Sequence, residues 1–282
     1  MYEEYYGFNE EPFRLSPDSR HCFMHPSYKK ARAYMQYAMR RQEGFVMVTG
    51  RPGTGKTTLI SDITTELTSQ GNLYAALSST QIQADDLLRL VVLKFGLNAD
   101  TEHKAELIHR LENFLQRVHR EGRRPLLIVD EAQDLSACAL EELRLLTNVQ
   151  ADNQPLIQIF LVGQEELRQT VRSPGLEQLH QRIVAACHLA PLTQEAMEAY
   201  IKHRLSHAGW TDNPVLHKSI FTPIFRGSQG IPRIVNQICS RLLLHGMVEE
   251  KQQLKLQDIR EVLDALNEEQ LLPLPKEGMP VA

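Results

Sequence analysis

The chain of 282 residues has no apolar run near the roughly 18–20 residues that a membrane-crossing helix needs, so it reads as soluble, or as membrane-attached only through partners. It is short of cysteine. Cys22, Cys138, Cys187 and Cys239 are far apart and form no C-x-x-C pair, the pattern of reduced thiols in a cytosolic protein. It also lacks a basic block, and its net charge is −4. Overall charge therefore gives no drive for non-specific nucleic-acid binding, although a local patch stays open. The opening Met1-Tyr2-Glu3-Glu4-Tyr5-Tyr6 is acidic and aromatic, unlike a secretory signal, and no internal repeat is visible. The hydrophobic content, 42%, is enough for a sizeable core in one or two domains.

What is present is concentrated at residues 50–57, Gly50-Arg51-Pro52-Gly53-Thr54-Gly55-Lys56-Thr57. This is G-x-x-x-x-G-K-T between an apolar run, Phe45-Val46-Met47-Val48, and a helical pattern opening with Thr58-Leu59-Ile60. The glycines let backbone N–H groups converge on phosphate oxygens, at the positive end of the next helix. Lys56 supplies a point charge to the β- and γ-phosphates, and the Thr57 hydroxyl is placed for Mg²⁺.

A second constellation is Leu126-Leu127-Ile128-Val129-Asp130-Glu131. Four apolar residues predict a buried strand of a parallel sheet, and the two acids fall at its C-terminal end, where open α/β sheets bind ligands. Asp130 is expected to hold Mg²⁺ through its water shell, and Glu131 to accept a proton from the attacking water or to orient it.

Strand-like runs at 45–49, 73–77, 126–129, 156–162 and 185–189 alternate with amphipathic stretches, clearest at 105–118. The alternation predicts a five-stranded parallel α/β sheet, with 73–77 open to a helical reading as well. After Pro191 the strand signal stops. Helical patterns follow at 193–206, with Thr193 as N-cap, at 214–225, at 232–246, with Pro232 at its first position, and at 256–267. The predicted division is an N-terminal extension on the core (1–43), an α/β nucleotide-binding core (44–190), an all-helical lid (191–267) and a flexible, proline-bearing tail (268–282).

Other candidates follow from position. Gln164 ends the fourth strand, where an amide can sense the γ-phosphate or its attacking water; an ordinary turn residue is the alternative. Arg182 leads into the last strand and is placed to reach a neighbouring subunit's nucleotide, with a surface ion pair as the alternative and Arg172 as its competitor. Arg233, after Gly230-Ile231-Pro232, sits awkwardly for a cation at a helix start unless phosphates lie near it; an exposed pair is the alternative. His203 and His207 are four apart but lack a third metal ligand. Tyr5, Tyr6, Phe8 and Phe13 either wall an adenine or form a packed extension, and Arg40-Arg41 suits a helix C-terminus.

Together these features resemble an AAA+ ATPase over about residues 1–267. Tyr5-Tyr6-Gly7-Phe8, Glu11-Pro12-Phe13, Ser16-Pro17-Asp18, Val129-Asp130-Glu131-Ala132-Gln133, Leu161-Val162-Gly163-Gln164 and Gln181-Arg182-Ile183 resemble the ExeA/GspA-type secretion ATPases. That family includes ATPases of type II secretion, the MSHA pilus and exosortase (PEP-CTERM) loci, with TnsC-type transposition ATPases as relatives. The resemblance implies a P-loop core with a helical lid and Mg²⁺-dependent ATP hydrolysis between subunits of a ring or filament. It also implies an envelope or secretion-machine partner and a cytoplasmic location, peripheral to the inner membrane through that partner. Lys56, Thr57, Asp130, Glu131, Gln164, Arg182 and Arg233 match its functional positions. A DNA-associated regulator of the TnsC kind is the alternative. Arg51-Pro52 departs from the acidic residue usual after the first loop glycine. The transmembrane helix and peptidoglycan-binding domain of full-length members are not in this sequence.

Overall fold

The computed structural model describes residues 1–15, 23–41, 44–78 and 83–272. Ser16-Pro17-Asp18, Cys22 and the tail prolines Pro273, Pro275 and Pro280 lie outside the described residues.

All five apolar runs become strands of one parallel sheet: β1 Phe45–Gly50, β2 Tyr74–Ser78, β3 Leu126–Asp130, β4 Gln158–Gly163 and β5 Ile183–Leu189. Their order is β2-β3-β4-β1-β5, with β4 central, β1 between β4 and the edge strand β5, and all pairings parallel. β1 and β4 are buried at every position, as apolar strands covered on both faces should be. The ambiguous 73–77 run is the edge strand β2. Only Ala75 and Leu77 are buried there, so the weak signal reflects a strand that hides alternate side chains.

Helices α1 Tyr2–Tyr6, α2 Pro26–Arg41 and α3 Lys56–Ser69 come first along the chain. Next are α4 Ala84–Lys94, α5 Lys104–Arg120 and α6 Ala137–Leu146. The short α7 Glu166–Val171 and α8 Glu177–Gln181 lie between β4 and β5. The apolar stripe of α5 (Leu107, Leu111, Phe114, Leu115, Val118) is buried. Each such side chain contributes about 1.5–3 kcal/mol. Ser136 caps α6 by accepting from the Ala139 N–H at 3.2 Å.

The C-terminal helices are α9 Gln194–His207, α10 Phe221–Ser228, α11 Pro232–Val248 and α12 Leu256–Glu268. Thr193 caps α9 through the Ala196 N–H, and Pro232 opens α11. The helix expected at 214–225 starts later. Val215–Leu216 pairs in parallel with Gln253–Leu254, a 3-10 turn covers Lys218–Ile220, and Pro223 then falls in the first turn of α10, where its missing N–H costs nothing.

By internal contacts the chain divides into an α/β unit, Pro26–Arg51 with Lys56–Leu189, and a helical unit, Met1–His25 with Pro52–Gly55 and Ala190–Ala282. The segment 1–43, expected to act as one extension, is therefore split at His25/Pro26. Its aromatic part belongs to the helical unit, where Tyr2, Tyr6, Phe8 and Phe13 are buried among α9, α11 and α12 side chains. Arg204 Nε donates to Pro12 O at 2.6 Å, Asn236 Nδ2 to Arg14 O at 3.2 Å, and Tyr6 Oη to Lys251 O at 3.0 Å. α2 lies in the α/β unit, with Ser27 Oγ donating to His188 O of β5 and Gln158 Nε2 of β4 to Ala38 O. Among the described residues no helix is long and apolar enough to cross a membrane.

Candidate nucleotide-binding site

Two of the loop glycines take backbone angles that side chains resist: Gly53 at φ +79° and Gly55 at φ +99°. Gly53 is constrained by space as well. A Cβ there would stand 2.7 Å from Arg233 Cβ and 3.1 Å from Ile231 Cγ2, and its carbonyl accepts from the Arg233 N–H at 3.2 Å. The middle of the loop is thus fastened to the start of α11, while the Arg233 side chain is exposed. Thr54, in the same stretch, is buried.

In the α/β unit, α3 begins at Lys56 directly after the loop. Lys56 is only 6% exposed, and its ammonium donates to Gly50 O at 2.9 Å and Arg51 O at 3.3 Å. Burial pulls its pKa below the ordinary lysine value, against the carboxylates of Glu131, Asp130 and Glu166. Thr57 is exposed and Thr58 half-buried in the first turn of α3. The partners of the ammonium are carbonyl oxygens at the end of β1, in front of the α3 N-terminus, where phosphate oxygens are equally good acceptors.

Asp130 closes β3. Burial pushes its carboxyl pKa up, opposed by the Glu131 N–H, which donates to Asp130 Oδ1 at 2.9 Å. Glu131 follows in the left-handed region at φ +51°, a conformation that costs a non-glycine residue on the order of 1–3 kcal/mol. Its carboxylate accepts from Gln133 Nε2 at 2.9 Å. Gln164 follows the end of β4, and its N–H donates to Gln133 Oε1 at 2.9 Å. Lys56, Asp130, Glu131 and Gln164 are thus placed at the sheet's C-terminal end or at the helix start beside it. Gln133 had no role from position alone. Its sequence signal is its place at the end of Val129-Asp130-Glu131-Ala132-Gln133, an amide two residues beyond an acid.

Arg182 caps α8 at the entry to β5, and its guanidinium turns back within its own chain. It donates to Arg144 O at 3.3 Å and to Thr147 Oγ1, both at the C-terminus of α6. Arg172 is exposed. The rings of His203 and His207 lie 4.4 Å apart with Phe23 against His203, and no metal-ligating group of three is present among the described residues. Cys138 is exposed; Cys187 and Cys239 are buried, and burial pushes the Cys187 thiol up to about 12.

A parallel sheet of order β2-β3-β4-β1-β5, a glycine loop feeding α3 and acids closing β3 are the architecture of an AAA+ P-loop ATPase. An AAA-domain family model matches residues 39–171. Within the class the chain is related to general secretion pathway protein A of Aeromonas hydrophila, 36% identical over 250 residues. That alignment takes in 86% of this chain and 44% of the relative, so the chain spans less than half the length of the curated protein it matches. Solved structures with the same fold include Cdc6p from Pyrobaculum aerophilum, with TM-score 0.73 and 13% identity over 96% of this chain and 74% of that one. The Aeropyrum pernix ORC2 protein in ADPNP–ADP complexes gives 0.65 and 14% over 91% and 71%. The Thermotoga maritima RuvB Holliday junction branch migration motor gives 0.57 and 20% over 92% and 74%. Nucleotide binding follows from the class.

Proposed function

We propose that the chain hydrolyses ATP with Mg²⁺ in a ring or filament of its own copies, and that this work drives or regulates assembly of a secretion, pilus or exopolysaccharide/exosortase-linked envelope machine. The observation that carries the chemistry is the buried Lys56 ammonium, held by Gly50 and Arg51 carbonyls at the start of α3. In this reading phosphate oxygens replace those acceptors, and the main chain of Gly50, Arg51, Pro52, Gly53, Thr54, Gly55 and Thr58 lines the anion. The donor set suits Mg²⁺: Thr57 offers an exposed hydroxyl, and Asp130 a carboxylate whose charge burial disfavours and a cation would stabilise. Bound there, Mg²⁺ would neutralise charge on the β- and γ-phosphate oxygens. Glu131 takes a proton from the attacking water, and the Gln164 amide orients that water or reads the γ-phosphate.

Arg182 is proposed to act on a neighbouring copy's nucleotide. It precedes an edge strand, and its two acceptors on α6 would exchange for phosphate oxygens on assembly. Arg233 is proposed to face the phosphates from the start of α11; its N–H bond to the loop supports that placement. The envelope assignment rests on the likeness to general secretion pathway protein A, which favours it over a TnsC-like DNA role. In this reading the protein works in the cytoplasm, peripheral to the inner membrane through its partner.

The test is ATPase rate and sedimentation with Mg²⁺ or chelator, adding either duplex DNA or an envelope fraction from the source organism. Hydrolysis should need Mg²⁺ and respond to the envelope fraction. Stimulation and filament formation on duplex DNA, falling steeply between about 50 and about 200 mM salt, would replace the secretion reading with the DNA-linked one.

A further inference from the structure

Glu131 holds a backbone conformation that only its surroundings can maintain, and one side chain joins those surroundings to the neighbouring strand. Gln133 Nε2 donates to Glu131 Oε2 at 2.9 Å and, more weakly, to Asp134 Oδ1 at 3.3 Å. Gln133 Oε1 accepts from the Gln164 N–H at 2.9 Å. The amide can sit only one way round. Turned over, its oxygen would face two carboxylates and its NH₂ would face an N–H donor. The last residue of β4 leaves room for it. A Cβ on Gly163 would lie 2.7 Å from Gln133 Oε1 and 3.3 Å from the Gln133 nitrogen.

We propose that Gln133 is a positioning residue for hydrolysis, and that its side-chain amide fixes the Glu131 carboxylate relative to the end of β4. The aim of the carboxylate then depends on the strand end that carries Gln164, so one displacement at that end disturbs both groups. This rests on the assignment of Glu131 as the base. It adds a second route to the same base, through a residue whose side-chain amide bonds to Glu131, Asp134 and the Gln164 N–H.

The test combines three substitutions. Gln133→Met keeps length and loses both hydrogen bonds. Gln133→Glu keeps shape but brings a second carboxylate to Glu131. Gly163→Ala leaves the glutamine intact and takes its space. Each should lower single-turnover hydrolysis by roughly 10–100-fold, the cost of misplacing a reacting group by about an ångström, while nucleotide affinity and melting temperature stay near wild type. In a Glu131→Gln background, Gln133→Met should slow hydrolysis no further, because it acts only through Glu131. Wild-type turnover in Q133M, or a full additional loss on top of E131Q, would overturn the proposal. Wild-type turnover in E131Q itself would instead remove the base assignment, which separates the two failures.

Discussion

Lys56 and Arg204 are both buried cations, 6% and 7% exposed, and both donate to main-chain carbonyls, yet they belong to different kinds of surroundings. Around Lys56 the carboxylates of Glu131, Asp130 and Glu166 act on a charge that burial disfavours, and a helix start lies behind it. Around Arg204 the acceptors are Pro12 O and Arg14 O, in a segment whose aromatic side chains fill the helical core. Burial of a charge does not mark a ligand site. What marks it is convergence of further charge and of a helix terminus on the same point.

Exchanging the two tests breaks the comparison most directly. Lys56→Ala should abolish tight nucleotide binding and leave the melting temperature close to wild type. Arg204→Ala should leave binding by the folded fraction unchanged and destabilise by about 1–3 kcal/mol, the cost of orphaning buried acceptors. Melting curves and nucleotide titration on both variants decide it; an R204A protein of wild-type stability would make the two cations alike.

A smaller effect is expected at Arg182, which shares features of both. Arg182→Ala should keep ATP affinity and cut hydrolysis by up to ~10³ if the residue acts across a subunit boundary. Mixing R182A with E131Q subunits should then restore part of the activity. Two co-assembling variants that stay inactive together exclude the trans role, and full activity of R182A alone transfers the assignment to Arg172.

The smallest effect lies in the helical unit. Burial alone would raise the Asp258 carboxyl, but the Lys251 ammonium at 2.7 Å and the Lys255 N–H at 2.6 Å bring it below its ordinary value of 3.8. A depressed folded-state value means stability that is fully present above the unfolded value and lost as pH falls through the folded one. Melting temperature should therefore drop as pH falls below about 4, and Asp258→Asn should flatten that acid limb without touching nucleotide binding. An unchanged acid limb in D258N would assign the loss to other carboxylates.

The sheet was legible because its information is local. Apolar runs, a glycine loop, Thr193 as a cap and Pro232 at a helix start each act within a few residues. Gly230-Ile231-Pro232-Arg233 could be read as a helix start, but not that Gly53 would bond to its Arg233 N–H. The direction of the Arg182 guanidinium was equally hidden, because its acceptors at Arg144 and Thr147 are more than thirty residues away. The destination of the aromatic N-terminus turned on the room left at Gly246, where a Cβ would meet the Tyr6 hydroxyl at 2.4 Å. Complementarity of that kind is written in two distant places at once, and neither alone announces it.

The interior place of β1, between β4 and β5, has a consequence for synthesis. Its two partners, β4 and β5, begin at residues 158 and 183, so β1 leaves the ribosome with neither neighbour made for about a hundred residues. At ~5–20 residues per second that is about 5–20 s during which a strand buried at every position in the fold waits unpaired. β2 and β3 can pair during that interval, but they cannot adopt β1 until β4 arrives between them. The nascent chain is therefore most exposed to aggregation, and most in need of a chaperone, before residue 163 is made.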